Sequence, residues 1–256
     1  MTGTYDLQLV LLSIIVASAA SFGALDLARR VTAAEGWRAR AWLVGGAFAM
    51  GAGIWSMHFI GMLAFKLPIR MAYDPVITLA SMVIAIVTSG FALAVVSRLA
   101  IISRAEVDLP VLAAGGVIMG AGICGMHYTG MAAMRMAPPI EYSPLLFIAS
   151  MLIAVTASVV AVWLAFTLRS DRDGPRLLQR VAGAVVMGLA ISGMHYTAMA
   201  AADFDPAAVC AVSPAFDVDN VALAYGIAAA ILSILAMTIV LPVLTARTTS
   251  RLPGVL

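Results

Sequence analysis

Charge is scarce in this chain. Asp, Glu, Lys and Arg make up 11% of 256 residues, against 63% hydrophobic residues and a mean hydropathy of +1.04. That balance excludes a soluble globular domain, in which about a quarter of the residues are charged. Cysteine is limited to Cys124, inside an apolar run, and Cys210, in a later loop, with no CxxC spacing. The pattern argues against a disulfide framework and against a thiolate zinc site. No cation precedes the first apolar run and Arg29-Arg30 follow it directly, so this run reads as a retained, reversed anchor and not as a cleaved signal. A formal net charge of +2 gives no basis for binding nucleic acid. Histidine is scarce as well: His58, His127 and His195 are the only three.

What is abundant is apolar sequence in runs of about 20 residues, the length that crosses a bilayer. Seven such runs are read around Leu7–Leu27, Ala41–Phe65, Val76–Val96, Leu109–Met134, Leu145–Leu168, Val181–Ala202 and Val221–Leu244. The expected fold is all-α, a polytopic seven-helix membrane bundle. Twelve of the fifteen cations fall in alternate loops: Arg29, Arg30, Arg38 and Arg40; Arg98 and Arg104; Arg169, Arg172, Arg176 and Arg180; Arg247 and Arg251. The other loops hold Lys66, Arg70 and Arg135, and the one after the sixth run holds Asp203, Asp205, Asp217 and Asp219. By the positive-inside rule the N-terminus is outside and the C-terminus cytoplasmic. The connectors Arg70–Pro75 and 138–142 read as short turns, Ser170–Pro175 as a charged cytoplasmic turn, and the stretch from Asp203 to Asn220 as a solvated acidic loop. Asp26 reads as a snorkelling surface charge beside Arg29-Arg30.

The histidines stand 69 and 68 residues apart, and the same interval aligns the helices as three parallel two-helix repeats, about 5–68, 74–137 and 143–205. A seventh helix at about 220–245 completes a membrane domain over 1–246, and 247–256 form a cytoplasmic tail. Counted from each His, Met recurs at −8 (Met50, Met119, Met187), at −1 (Met57, Met126, Met194) and at +4 (Met62, Met131, Met199). Small residues recur at −7 (Gly51, Gly120, Gly188), −5 (Gly53, Gly122, Ala190) and +3 (Gly61, Gly130, Ala198). Small side chains let membrane helices approach closely, so the even-numbered helices are expected to pack together at the centre with the odd-numbered ones outside. The first charge after each His comes eight residues on, which puts all three imidazoles at one depth, about 12 Å from that boundary.

Three imidazoles at one membrane depth, with methionines around them, are a metal-ligand set. The +4 methionines lean back over their own His and are the best-placed co-ligands. The −1 methionines point about 100° away, and the −8 methionines, more than two turns below, read as packing or as a second layer. Imidazole with thioether suits copper better than zinc, calcium or magnesium. Haem, through His/His or His/Met axial pairs, is the lesser alternative, because a third equivalent His has no place in it. The plain alternative is that each His simply packs among Met and Gly; the cost of an unpartnered ionisable group at this depth favours function. Phe59, Tyr128 and Tyr196 at +1 either pack between helices or hold an imidazole through the hydroxyl, and Thr129 and Thr197 have the same two options. Cys124, three before His127, is replaced by Trp55 and Ser192 in the other repeats and belongs to no common ligand set.

Met126-His127-Tyr128-Thr129 and Met194-His195-Tyr196-Thr197 resemble the motif for which the MHYT integral-membrane sensor family is named, and the first copy departs from it as Met57-His58-Phe59-Ile60. The resemblance implies a seven-helix sensory module of the bacterial cytoplasmic (inner) membrane. It implies copper held by His58, His127 and His195 with Met57, Met126 and Met194 near the outer face, and a response to O2, CO or NO. It also implies cytoplasmic signalling partners, since family members are often fused to cyclic di-GMP synthases, phosphodiesterases or histidine kinases. The expectation is a non-enzymatic sensor in the lipid bilayer, of no specified oligomeric state. The rivals are a haem sensor, a copper transporter or channel, a membrane oxidase and a purely structural module.

Overall fold

The computed structural model describes residues 1–102, 108–169, 177–211 and 219–249. Arg104, Arg172, Arg176, Asp217, Arg251 and the connector Ser170–Pro175 lie wholly or mainly outside these residues, as does 250–256 of the tail. Seven long helices account for most of the chain: α1 (Leu7–Ala33), α2 (Gly36–Ala64), α3 (Pro75–Ile102), α4 (Leu109–Ala132), α5 (Pro144–Thr167), α6 (Leu177–Ala201) and α7 (Asn220–Thr249). Each is long and apolar enough to cross a membrane. Several extend past the apolar runs at their arginine-bearing ends, because Arg, Ala and Leu are good helix formers even where hydropathy falls. Aspartates set several of the starts: the Asp6 side chain accepts from the Gln8 N–H, Asp74 from Val76 and Ile77, Asp108 from Val111, and Asp219 from Val221. Pro75 and Pro144 open α3 and α5, where the missing N–H costs nothing.

The first six helices form a closed ring in chain order, with α6 returning to α1. The even-numbered helices do not pack on one another along their length as the small residues suggested. Gly51 lies against the backbone of Ile86 on α3, Gly120 against Val155 on α5 and Gly188 against Ser18 on α1; a Cβ on any of them would fall 2.4–2.7 Å from the partner's Cα. Gly53 meets Ala20 on α1, and Gly122 meets Thr88 on α3. Each even-numbered helix is thus wedged between two odd-numbered ones, and small residues are needed on both flanks because both contacts are at backbone distance. The even-numbered helices meet one another mainly through the side chains they project to the axis. α7 lies outside the ring against α1 and α2, where Ala224, Ala228, Ile231 and Leu235 join a core with Leu9, Val16, Ala49 and Ile60.

One end of the ring is stitched by three short antiparallel strand pairs: β1 (Thr4–Tyr5) with β2 (Phe65–Lys66), β3 (Met136–Ala137) with β6 (Val209–Cys210), and β4 (Glu141–Tyr142) with β5 (Ala202–Asp203). The repeat shows here too. The N–H groups of Asp6, Asp74 and Ser143, each just before an odd-numbered helix, donate to the carbonyls of Ala64, Ala133 and Ala201 at 2.8–2.9 Å. Lys66 and Arg135 complete two of these junctions as ion pairs with Asp6 (3.0 Å) and Asp74 (3.2 Å). The stretch after α6 is not simply a solvated acidic loop. Asp203 and Asp205 are exposed, but Phe204 is buried beside Phe65 and the chain's first amino group donates to its carbonyl. At the opposite end gather Arg29, Arg30, Arg38, Arg40, Arg98, Arg169 and Arg180. Asp26 there is no surface charge: it is 6% exposed and bonded to both Arg29 and Arg30.

Candidate metal centre

On the axis of the ring, His58, His127 and His195 come together, each about 1% exposed. Their Nδ1 atoms form a nearly equilateral triangle with sides of 3.1, 3.1 and 3.3 Å. The rings stand edge to face, with centroids 4.8–5.2 Å apart and interplanar angles of 72–82°. A triangle of imidazole nitrogens cannot satisfy itself. Each Nδ1 is either a donor or an acceptor, so at least one of the three sides must join two donors or two acceptors. If all three are acceptors, the lone pairs converge on one point. That point is about 1.8 Å from each nitrogen (the mean side over √3), a little inside the about 2.0 Å of an imidazole–metal bond. An ion at the centre removes the conflict that neutral imidazoles cannot, so the residues present fit a metal. Among the described residues no hydrogen-bond partner meets the three Nε2 atoms, which are buried.

The backs of the imidazoles explain the small residues at +3. A Cβ on Gly61 would lie 2.3 Å from Nε2 of His195, and one on Gly130 would lie 2.2 Å from Nε2 of His58. The His195 and His58 rings therefore occupy the space that a side chain at Gly61 or Gly130 would need, while the third repeat has Ala198 at this position.

The methionines sort into separate places. Met62, Met131 and Met199 lie in one cluster under the strand-paired end, with Phe65, Met134, Met136 and Phe204. Met57 packs with α1 and α7, whereas Met126 and Met194 belong to a different cluster, so the −1 methionines are not brought together. The tyrosine hydroxyls do not hold the imidazoles. Tyr128 and Tyr196 stand edge-on to the His that precedes each, while their hydroxyls reach Ser150 on α5 and Ser13 on α1, both at 2.7 Å. In the first repeat Phe59 has no hydroxyl, and the equivalent Ser81 receives the Trp55 indole N–H instead, at 3.1 Å. No hydrogen bond joins Thr129 or Thr197 to a histidine among the described residues. Cys124 and Cys210 form no disulfide among the described residues, and the Cys210 thiol donates to the carbonyls of Ala72 and Met134.

Sequence comparison completes the description. Residues 51–107, 120–177 and 188–253 each match the MHYT repeat, described as a bacterial signalling protein N-terminal repeat. The chain belongs to the MHYT family. The MHYT chain is 48% identical over 253 residues to MucR of Pseudomonas aeruginosa, a bifunctional diguanylate cyclase/cyclic di-GMP phosphodiesterase, covering 98% of this chain and 36% of MucR. It is 40% identical over 202 residues to the signaling protein YkoW of Bacillus subtilis, covering 78% of this chain and 24% of YkoW. It is likewise 40% identical over 198 residues to the cyclic di-GMP phosphodiesterase NbdA of P. aeruginosa, covering 77% and 24%. The MHYT chain thus spans about a third or less of the length of these curated relatives. No solved structure matches it. It is a multi-pass protein of the bacterial inner membrane, and its matched region is that of membrane signalling proteins.

Proposed function

We propose that this chain is a non-enzymatic sensor that holds copper at His58, His127 and His195 and responds to a diatomic gas (O2, CO or NO) or to redox state. The observation that carries the reading is the convergence of three Nδ1 atoms within 3.1–3.3 Å, an arrangement unfavourable without an ion and suited to one. Copper held by these three imidazoles would supply the soft, redox-active chemistry that binding a diatomic ligand calls for. The protein's part is to hold three neutral imidazoles in register. Ring positions are fixed by the glycine-lined backs and by the edge contacts of Tyr128 and Tyr196, which their Ser150 and Ser13 partners hold in turn. Water is kept away by the cluster around Met62, Met131 and Met199, whose soft sulfurs suit Cu(I) over harder cations. The triangle favours copper over haem, because it leaves no slot for a macrocycle between any two rings.

Positive-inside asymmetry supports an outward-facing strand-paired end and a cytoplasmic arginine-rich end. Any shift of the histidines then moves α2, α4 and α6, and α2 carries α7 on its flank. The output is a cytoplasmic signalling partner or attached domain, as the curated relatives' activities suggest.

Metal analysis by inductively coupled plasma mass spectrometry, with an optical spectrum, tests this on detergent-purified protein and on the His58→Ala/His127→Ala/His195→Ala variant. The expected result is a nitrogen-ligated copper held by the histidines and lost in the variant, followed by CO or NO binding to the loaded protein. A Soret band would transfer the site to haem. No metal after anaerobic Cu(I) loading would overturn the proposal.

A further inference from the structure

About two turns below the histidines, on the arginine-rich side, the axis is not filled. Two small cavities of about 20 Å³ each lie there, and both are lined by the same three side chains, Met50, Met119 and Met187. Ile54, Ile123 and Ile191 line the first cavity; Ala24, Ala92 and Ala161 line the second. Each of these sets occupies one repeat position on its helices. The openings are thus lined by residues that the repeat supplies three times over, isoleucine in the first and alanine in the second, with the methionines common to both.

The walls hold a second observation. Ser21, Ser89 and Ser158, again one per repeat, are 3%, 0% and 1% exposed, and none of their hydroxyls has a hydrogen-bond partner among the described residues. Ser21 and Ser158 line the first cavity. Two turns earlier on the same helices, Ser13, Ser81 and Ser150 each donate to a backbone carbonyl at 2.7 Å, the ordinary way to satisfy serine in a membrane helix. An unpartnered hydroxyl away from water is costly, and filler packing by methionine explains neither these hydroxyls nor the openings beside them.

We propose that Met50, Met119 and Met187 form a second soft-cation site, separate from the histidine triangle, for a monovalent d10 ion such as Cu(I). The donor chemistry selects the ligand. Thioethers bind soft cations, no residue lining either cavity carries a charge or an imidazole, and a hard divalent ion would lack anionic oxygen. The Ser21 and Ser158 hydroxyls, in the wall of the first cavity, are the oxygen dipoles available to the cation, and Ser89 lines neither cavity. With no counter-charge at this level, the site binds more weakly than the triangle. It does not rest on the gas-sensing reading, and it gives the chain two metal positions along one axis.

The test is an anaerobic Cu(I) titration of the whole purified chain against a chromophoric chelator, repeated with Ag(I) as a redox-inert probe, with X-ray absorption at each equivalent. Wild-type protein is expected to bind two equivalents, the first nitrogen-ligated and the second with a sulfur shell. Met50→Leu/Met119→Leu/Met187→Leu keeps the first and loses the second; Leu conserves volume, so the fold is retained. The triple histidine variant keeps only the sulfur-bound equivalent, so failure of the triangle is read separately from failure of this ring. A Leu variant that still binds two equivalents would overturn the proposal. So would a sulfur-bound equivalent lost instead from Met62→Leu/Met131→Leu/Met199→Leu. The wild-type spectrum is decisive without any variant: a second equivalent with no sulfur shell, or no second equivalent, refutes the site.

Discussion

Gly130→Ala adds one methyl group at a place already taken. The Cβ would lie 2.2 Å from Nε2 of His58, whereas an ordinary carbon–nitrogen contact is about 3.5 Å. The imidazole must retreat by about 1.3 Å, and in a triangle whose sides are 3.1–3.3 Å that takes its Nδ1 out of register. Metal affinity is expected to fall about 10- to 100-fold, the range for a misoriented ligand. Stability responds less, because overpacking of about 1–3 kcal/mol is offset by about 1 kcal/mol of helix propensity gained on replacing Gly. Gly193→Ala is the control: it sits two residues before His195 with nothing within 4 Å of its Cβ, and gains propensity alone. The assay is a chelator-competition titration beside a thermal melt for wild type, Gly130→Ala, Gly61→Ala and Gly193→Ala. Wild-type affinity in Gly130→Ala would show that the ring positions seen here do not set the metal site. Ala198, at the corresponding position of the third repeat, shows that one methyl is accommodated in the ring, and the side joining His127 to His195 is its longest at 3.3 Å.

Tyr128→Phe and Tyr196→Phe each remove one hydrogen bond to serine and should lower stability by about 0.6 kcal/mol, the average for such bonds in a membrane, measured by denaturant unfolding in detergent. Phe59→Tyr should bring no matching gain, since Ser81 is already engaged by Trp55. Asp26→Asn leaves Arg30, which also donates to the Ile239 carbonyl on α7 and lies over Trp42, without its carboxylate; a loss of about 3 kcal/mol is expected by thermal melt. The Asp6 carboxyl is held below its ordinary range mainly by the Lys66 hydrogen bond, and that of Asp74 mainly by the Ile77 N–H. Their stabilisation is therefore present above the ordinary carboxylate pKa of about 3.9 and is lost as pH falls through the lowered folded values. Melting temperature should hold from about pH 7 to pH 5 and decline below about pH 4, and less steeply in Asp6→Asn/Asp74→Asn.

The helices and the histidine site were legible because both follow from strong, repeated signals: apolar length for the first, and one interval shared by every His for the second. The direction of packing was not. Glycines at −7 and −5 announce close contact but not with which helix, and Gly188 against Ser18 requires the closure of α6 on α1 that only three dimensions supply. The tyrosine partners were within reach, since Ser13, Ser81 and Ser150 keep the 68- and 69-residue interval, but on the odd-numbered helices, where no histidine draws the eye. Phe204 was hidden by its acidic neighbours: Asp203 and Asp205 make the segment read as solvated although the ring between them is buried.

A ring built from three equal parts has no preferred direction, so a contraction at its centre would be felt alike on every side. α7 ends that equality. Resting mainly on α1 and α2, it gives one edge of the ring a neighbour that the other two lack among the described residues, and Arg30 ties that neighbour to the end of α1 through Ile239. The odd seventh helix is what allows a disturbance shared equally by three parts to acquire an address.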